Sequence, residues 1–180
     1  MTPAAAAALE RASRDERAAV LATLARHVGG DVGLAEDAVQ DAFAAAAVAW
    51  PRDGVPDRPG AWLTVTARRK AIDRLRCERG QAERARALER LMDDEPAPEA
   101  EPGAVADDRL RLMFTCCHPA LAPEARIALT LRTLGGLTTP DLARAFLTTE
   151  PAMQQRLVRA KRKIAAACIP YRVPSDEQLP

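Results

Sequence analysis

Residues 137–164 limit the fold of this chain more than any other stretch, because they predict two short helices joined by a tight turn. In the second helix the apolar side chains recur at helical spacing, as Met153, Leu157, Ala160 and Ile164. The opposite face is polar and basic. Such a helix suits the major groove of DNA, since Gln and Arg can form bidentate hydrogen bonds with base edges. The segment therefore predicts a helix-turn-helix that reads duplex DNA.

Composition indicates an all-helical fold around this segment. Apolar residues make up 48% of the chain but aromatic residues only 3%, and much of the apolar fraction is alanine. Alanine favours helix, and no stretch alternates β-branched and polar residues as a half-buried strand does. We therefore expect no sheet, and for 180 residues one ordinary domain or two small ones.

Charge is segregated along the chain although the net charge is only +1. Residues 68–90 hold nine basic and four acidic residues, 93–108 hold seven acidic and no basic ones, and 156–172 hold six basic and no acidic ones. Two cationic segments suggest two contacts with a polyanion. The stretch 95–107 is acidic, rich in proline and poor in large apolar side chains, so it predicts a flexible linker.

The chain is therefore expected to form two small helical domains on a tether. The predicted divisions are a first domain over 1–94, the linker over 95–107, a second domain over 108–172 and a tail over 173–180. Thirteen linker residues reach at most about 45 Å when extended, and each domain adds a radius of about 12 Å. Together they span about two turns of duplex, near 70 Å.

Glycine, proline and capping residues predict where the helices begin and end. The first domain is expected to hold three helices, over 4–28, 34–50 and about 58–75, with Pro51 ending the second and Pro59 in the first turn of the third. The second domain is expected to hold helices over 108–117 and from Pro123 to about 134. Thr139 is then expected to cap the first helix of the helix-turn-helix.

No segment predicts export or membrane insertion. The longest apolar run, 42–50, has nine residues, about half of a membrane span. The four cysteines lack the spacing of a secreted disulfide framework, so we expect a reduced, cytoplasmic protein. Adjacent Cys116, Cys117 and His118 have no further ligands nearby to complete a tetrahedral metal site. We expect burial behind the helix-turn-helix there, and neither metal nor cofactor.

A second basic helix is predicted over residues 61–76. Trp62, Arg69 and Asp73 share one of its stripes, and Trp50 stands before the proline-rich loop that precedes it. An aromatic ring beside cations suits single-stranded nucleic acid, whose bases stack on rings while the phosphates meet arginine. In the alternative interpretation, both tryptophans belong to the core and the arginines form a solvated face. The sequence leaves both interpretations open.

Three segments resemble bacterial extracytoplasmic-function sigma factors in order and spacing: AEDAVQDAF (35–43), AWLTVTARRKAIDRLR (61–76) and TTPDLARAFLTTEPAMQQRLVRAKRKI (138–164). The resemblance covers roughly residues 16–172. LRLMFTCCHPALAPEARIALTLRTLGGLT and the closing IPYRVP resemble the subgroup that carries a C-terminal tetratricopeptide-type extension. The extension would begin where this chain stops, so we expect it to be absent or truncated here.

The resemblance implies a non-catalytic subunit that binds core RNA polymerase and directs promoter-specific initiation. The N-terminal domain would recognise and melt the −10 element, and the C-terminal domain would bind the −35 element. The implied partners are the clamp helices of the largest polymerase subunit, the flap region and promoter DNA. An anti-sigma factor or the C-terminal extension is the implied regulator.

The resemblance also assigns positions. The polymerase-binding positions are Glu36, Asp37, Gln40 and Asp41. The −10 positions are Trp50, Trp62, Arg68, Arg69, Asp73 and Arg76, with the loop 51–60 capturing a flipped base. The −35 positions are Gln154, Gln155, Arg156, Val158, Arg159 and Arg162, of which Arg156 and Arg162, together with Lys161, are expected to contact phosphates. Many family members have Lys-Ser or Arg-Ser in place of Gln154-Gln155, so the −35 sequence stays open.

Two other functional classes stay open at this point. A stand-alone helix-turn-helix repressor or activator that binds as a dimer would account for residues 108–164, but it leaves the first basic helix without a role. An enzyme or metal-dependent sensor would have to use Cys116, Cys117 and His118. The chain offers no paired carboxylates, Ser/His/Asp set or glycine-rich phosphate loop to support catalysis.

Overall fold

A computed structural model describes the backbone of residues 2–78 and 102–174 and the side chains of 2–75 and 107–174. Within these residues the regular structure consists of eight α-helices and no strand, which confirms the all-helical prediction. The helices are α1 (Pro3–Asp15), α2 (Arg17–His27), α3 (Val32–Asp53), α4 (Pro59–Glu78), α5 (Pro102–Cys116), α6 (Pro123–Thr133), α7 (Thr139–Ala145) and α8 (Glu150–Ala166).

The N-terminal segment forms two helices where the sequence predicted one over 4–28. α1 and α2 are separated at Glu16, whose φ is −107°. α1 buries only small side chains, Ala5, Ala8 and Ala12, and packs on α3. α2 buries a wider stripe and contacts α3, α4 and α5. Both helices pack on α3, but only α2 also contacts α4 and α5. Neither proline nor glycine marks the break in the sequence.

α3 is one turn longer than predicted at its C-terminal end. The side chain of Asp31 caps its N-terminus. The prediction that Pro51 ends the helix is wrong, because this residue lies inside the last turn. Proline there removes only one backbone donor close to the helix end. The chain leaves the helix at Gly54, whose φ of +93° favours glycine.

α5 begins at Pro102, six residues before the predicted start at Asp108, so the end of the predicted linker is helical. Proline suits a first helical turn, and Arg111 pairs with both Asp107 and Asp108 one turn earlier. Residues 79–101, which include the rest of the predicted linker, lie outside the described part of the chain. The linker bounds therefore stay a prediction.

The helix-turn-helix forms as predicted, with one shift at its start. The N-cap of α7 is Thr138 rather than Thr139, and Thr138 and Asp141 form a reciprocal capping box. The four apolar residues predicted for the stripe of α8 are all buried. The helical spacing of these four residues places them on one face of α8, and that face packs on α6 and α7.

The two halves of the chain pack against each other. α5 lies along α2, and α8 contacts α3. The buried apolar side chains of both halves form one continuous cluster. At the edge of the contact, Asp108 is buried and pairs with Arg26 at 3.2 Å. The halves are therefore joined by an interface as well as by the chain.

The turn of the helix-turn-helix contains a strained residue. Leu147 has φ of 50°, and its side chain is 95% exposed. Leu147→Gly is expected to raise the free energy of unfolding by about 0.5 kcal/mol, because removal of roughly 1–2 kcal/mol of strain exceeds the entropic cost of glycine. Urea denaturation would measure the change. Leu147→Ala, which keeps the Cβ atom, is the control, and a glycine variant less stable than this control would contradict the expectation.

Candidate nucleic-acid interface

α8 presents a polar and basic face to solvent because its apolar stripe is buried. The side chain of Thr149 caps its N-terminus. Gln154, Gln155 and Arg159 are exposed on the outer face. A helix held from behind, with its outer face free, has the orientation that insertion into a major groove requires.

The six predicted −35 residues fall into two rows and one outlier. Within each row the residues are four positions apart in sequence. One row consists of Gln154, Val158 and Arg162, and the row beside it of Gln155 and Arg159. Arg156 lies to the side, with its guanidinium 5.6 Å from the ring centre of Phe146. That cation–π contact fixes the direction of the Arg156 side chain. The structure thus brings five of the six residues onto one surface and places the sixth at its edge.

An open groove of about 520 Å³ runs between α8 and the segment that precedes α6. Its walls include Gln155, Arg156, Arg159 and Lys163 on one side and residues 120–122 on the other. Three cations along one groove create a positive potential suited to a phosphate backbone. Lys163 was missed in the sequence analysis, although its position four residues after Arg159 places it on the same row.

The two tryptophans form a pair, and only one of them has partial access to solvent. Trp50 is 2% exposed and Trp62 is half-buried. Their ring centres are 5.8 Å apart at 68°, an edge-to-face contact. The prediction that Trp50 offers a face to a flipped base is therefore wrong for this conformation, because its ring is a core element. Its Nε1 is buried without a hydrogen-bond partner among the described residues.

Helix α4 carries the other predicted −10 residues in its sequence. Arg69 and Asp73 are exposed and Arg68 is half-buried, whereas the side chain of Arg76 lies outside the described part of the chain. Val65 is 50% exposed on the same face, one turn before Arg69. Sequence reasoning did not select this valine, although its spacing from Arg69 places both on one row. The face therefore combines cations with an exposed apolar side chain and the edge of Trp62.

Glu36 is not on the surface, which contradicts its predicted direct contact with polymerase in this conformation. Its side chain is 7% exposed and forms ion pairs with Arg17, Arg132 and Lys161 at 3.3, 3.0 and 3.1 Å. We call these four residues the Glu36 cluster. The side chain is buried because the α6 and α8 cations lie over α3, and no short sequence segment contains that information.

The Glu36 cluster stays charged in spite of its burial. Burial raises the pKa of Glu36, but the charges of Lys161, Arg132 and Arg17 outweigh this effect and hold the pKa below its usual range. Burial also lowers the pKa of Arg17, from a value so high that the guanidinium remains protonated. The stability that Glu36 contributes is therefore present at neutral pH and is lost as the pH falls through its depressed folded-state pKa.

The other predicted polymerase-binding residues lie on an accessible acidic face of α3. Gln40 is exposed. Arg74 of α4 pairs with Asp37 at 3.0 Å and with Asp41 at 2.8 Å. The pairs are partly exposed to solvent, so they restrict the carboxylates only weakly. The face remains negative and open to a basic partner.

The cysteine pair at the end of α5 divides between core and surface. Cys116 is buried, with its Sγ 3.4 Å from the hydroxyl of Thr133, whereas Cys117 is exposed. The predicted burial behind the helix-turn-helix is therefore confirmed for Cys116 and wrong for Cys117, which is exposed although its Sγ lies 3.5 Å from the hydroxyl of Thr130. Among the described residues no group of His, Cys, Asp and Glu side chains could hold a metal ion.

The rate of alkylation should distinguish the buried thiol from the exposed ones. Burial raises the pKa of Cys116 to about 12, which makes the reactive thiolate scarce at neutral pH. Iodoacetamide is expected to modify Cys117 and Cys168, both exposed, and to leave Cys116 intact until the protein unfolds. Peptide mass mapping with and without urea would measure this, and modification of Cys116 in the native protein at a similar rate would contradict its burial.

Both halves of the chain match known families. The family model of Sigma-70 region 2 matches residues 15–81, and that of Sigma-70, region 4 matches residues 111–164. The probable ECF RNA polymerase sigma factor SigI of Mycobacterium tuberculosis is 30% identical over 149 residues, which cover 81% of this chain and 51% of SigI. The chain belongs to the extracytoplasmic-function sigma factors. Sigma factors are not a class of enzymes.

Two further relatives bear on the extent of the chain. ECF RNA polymerase sigma factor SigK of Mycobacterium ulcerans is 26% identical over 133 residues, with 73% of this chain and 71% of SigK covered. An uncharacterized protein of Rhizobium meliloti is 43% identical over 150 residues, which cover 80% of this chain and 35% of that protein. The chain thus spans about half or less of the length of SigI and the rhizobial relative. No solved structure gives a significant match.

The matched ranges fall inside the two predicted domains, while the domain bounds themselves stay predictions. None of the helices in the described part of the chain combines the length and the apolar character that a bilayer span requires.

Proposed function

We propose that this sigma factor binds core RNA polymerase in the cytoplasm and directs it to specific promoters. In this proposal α8 reads the −35 element, while α4 and the loop before it recognise and melt the −10 element. The observation that carries the proposal is the exposed outer face of α8 beside a cationic groove, in a chain that matches sigma region 2 and region 4 in order.

For the −35 element, we assign base reading to the two exposed rows of α8. Gln155 and Arg159 project from adjacent turns of one row, so they can reach neighbouring base pairs in the major groove. Arg156 and Lys163 line the groove beside this surface, where a phosphate backbone would pass. Arg162, the last residue of its row, would contact phosphate at the C-terminal end of the same surface. Sequence specificity would then depend on the few side chains that contact bases, whereas affinity for DNA would depend on these and on the phosphate contacts.

For the −10 element, we assign a single-strand surface to the outer face of α4. Arg68, Arg69 and Arg76 would follow the phosphates, and the accessible part of Trp62 would meet an unstacked base. Extruding a base costs a few kcal/mol, which stacking and hydrogen bonds must recover. Because Trp50 supports Trp62 from behind, its role in this proposal is to position the neighbouring ring.

For the polymerase, we assign the initial contact to the acidic face of α3 formed by Asp37, Gln40 and Asp41. A basic coiled coil such as the clamp helices would be attracted to it electrostatically. Glu36 could join this contact only after it leaves the Glu36 cluster. The flap region, an anti-sigma factor and a C-terminal extension remain candidate partners or regulators of the second half.

Reconstitution tests the proposal directly. The purified chain should co-elute with core RNA polymerase in size-exclusion chromatography, and the complex should produce specific run-off transcripts from genomic fragments. Core enzyme alone and the chain with Asp37→Lys and Asp41→Lys are the controls, since reversed charge on α3 should prevent the complex from forming. Folded wild-type chain that binds no polymerase would refute the proposal.

A further inference from the structure

A cavity of about 210 Å³ lies between α1 and the loop that precedes α4. On the loop side it is lined by Val55 and Pro59, which belong to the segment 51–60 that is expected to capture a flipped base. The opposite side is formed by Glu16 and by four residues of α1, which are Ala8, Arg11, Ala12 and Asp15. Neither tryptophan lines this cavity. The loop therefore borders a recess that is separate from the tryptophan pair.

The walls of the cavity combine apolar surface with charges of both signs. Two alanines, a valine and a proline supply the apolar surface, while a guanidinium and two carboxylates supply hydrogen-bond donors and acceptors. Apolar walls with a few convergent polar groups are typical of sites that bind a small ligand. Arg11 and Asp15 are exposed at the rim, whereas Glu16 is half-buried. The carboxylate of Glu16 is therefore the inner polar group.

A glycine allows the carboxylate of Glu16 to occupy this place. Gly60 lies in the first turn of α4, and a Cβ atom there would lie 2.1 Å from Oε2 and 2.7 Å from Cδ of Glu16. Glycine is the residue that permits such a close approach, because it has no Cβ atom. The carboxylate therefore rests against the start of α4, next to the base-capturing loop.

Helix α1 forms a fixed wall of the cavity. Its buried alanines, among them Ala8 and Ala12, pack on α3. The match to Sigma-70 region 2 begins at residue 15, so these two alanines and Arg11 lie outside the matched range. The matched segment alone would leave the loop without this wall and without the guanidinium of Arg11.

The cavity is also placed where a single strand on α4 would reach it. Pro59 begins α4 and lines the cavity, while Val65 and Arg69 are exposed further along the same helix. Ten residues of helix separate Pro59 from Arg69, which is about 15 Å along the axis. A strand that follows the cations of α4 toward the start of the helix would therefore bring one of its bases to the cavity.

We propose that this cavity is the pocket for the flipped base of the −10 element and that it selects cytosine. The amino group of cytosine would donate a hydrogen bond to the carboxylate of Glu16. The guanidinium of Arg11 would donate to the ring acceptors N3 and O2. Thymine presents a carbonyl oxygen in place of the amino group, so it would meet the carboxylate acceptor to acceptor. The proposal rests on the proposed function and gives the pocket walls that Trp50, a core residue, does not provide.

Holoenzyme reconstituted from core polymerase and the full chain tests the pocket, on a promoter found by the run-off experiment. The −10 element would be pre-melted, with base changes in the non-template strand only, so that base capture is measured apart from melting. We expect one position at which cytosine binds about 10–100-fold more tightly than thymine. Fluorescence anisotropy of labelled DNA would measure the ratio of the two affinities.

Glu16→Gln should abolish most of this preference. The amide can turn its NH₂ group toward the carbonyl oxygen of thymine, so the ratio of the affinities for cytosine and thymine should fall by about tenfold or more. Glu10→Gln is the matched control, because it makes the same change on α1 at a residue that does not line the cavity. The control should keep the wild-type ratio. An equal loss of affinity for both bases in Glu16→Gln would show a structural role and overturn the proposal.

Gly60→Ala is an independent variant that removes no hydrogen-bonding group. Its methyl group would displace the flexible end of Glu16, while alanine suits a helix. The ratio of the affinities for cytosine and thymine should again fall by about tenfold, and circular dichroism would confirm retained helix. If Glu16→Gln fails to fold, Gly60→Ala decides the question by the same ratio.

The remaining outcomes separate this pocket from the proposed function. A wild-type holoenzyme that prefers cytosine at no position, or folded variants of Glu16 and Gly60 that keep the wild-type ratio, would overturn the pocket assignment. Specific run-off transcripts in the same experiments would leave the proposed function standing. If no holoenzyme forms, the proposed function fails, and the pocket assignment fails with it.

Discussion

Leu142→Ala is expected to lower the free energy of unfolding by about 2–5 kcal/mol, the largest stability effect we predict for the helix-turn-helix. Leu142 is fully buried in α7 and belongs to the continuous apolar cluster. Truncation removes apolar contacts and leaves a cavity, because α7 is fixed at its start by the Thr138–Asp141 capping box and cannot easily move inward. Urea denaturation followed by far-ultraviolet circular dichroism measures the change.

The same chemical change at an exposed position is the control. Leu147 is five residues further along and 95% exposed, so Leu147→Ala should change stability by no more than about 0.5 kcal/mol. The difference in the free energy of unfolding between the two variants then measures the effect of burial, because both variants make the same change from leucine to alanine. Equal losses in both would show that the described packing of α7 does not exist in solution.

Arg159→Ala is expected to reduce affinity for the cognate −35 duplex by about 10–100-fold, that is about 1–3 kcal/mol, and to affect unrelated duplex much less. Arg159 is exposed on the same row as Gln155 and has no acidic partner on α8 after Glu150. A bidentate contact with a guanine edge would account for a loss of this size. The cognate duplex would first be selected from a random pool by its binding to the wild-type protein. Fluorescence anisotropy would then measure the affinity for this duplex and for an unrelated duplex.

Lys163→Ala is the matched comparison, because Lys163 lines the same groove one turn further on. A phosphate contact should weaken binding to all sequences alike and reduce the dependence on salt by about one counterion. If Arg159→Ala also weakened binding uniformly, Arg159 would be reassigned to the backbone. The base-reading role would then fall on Gln154 and Gln155.

Local patterns predicted the second half of the chain well. The stripe of α8 and the start of α6 at Pro123 follow from side-chain spacing and capping chemistry, which act over one or two turns. The N-cap of α7 was misplaced by one residue because Thr138 and Thr139 are both capping residues. Only the side chain three residues before Asp141 can close the capping box, and this selects Thr138.

Features that depend on distant contacts were not predicted. The break at Glu16 carries no proline or glycine, and it separates α1, which packs on α3, from α2, which contacts α4 and α5 as well as α3. The burial of Glu36 depends on Arg132 and Lys161, which are about a hundred residues away in sequence. Acidic residues in an exposed first turn and a buried ion cluster look alike in a single sequence.

The tryptophan pair illustrates the same limit for the candidate site. The sequence left a stacking role and a core role open for both rings. The burial of Trp50 places this ring in the core, whereas Trp62 lies at the boundary of the core, where its stacking role stays a prediction. A pattern of aromatic and basic residues indicates nucleic-acid binding without indicating which ring reaches the surface.

The position of this pair also determines what optical spectroscopy can observe. The chain has only two tryptophans, and both emit from the first half, in the contact between α3 and α4. Tryptophan fluorescence, excited at a wavelength that Tyr171 does not absorb, therefore follows melting of that half alone, whereas circular dichroism averages over all helices. Coincident melting curves from the two signals would mean that the halves unfold as one cooperative unit, and separated curves would give each half its own stability without any added label.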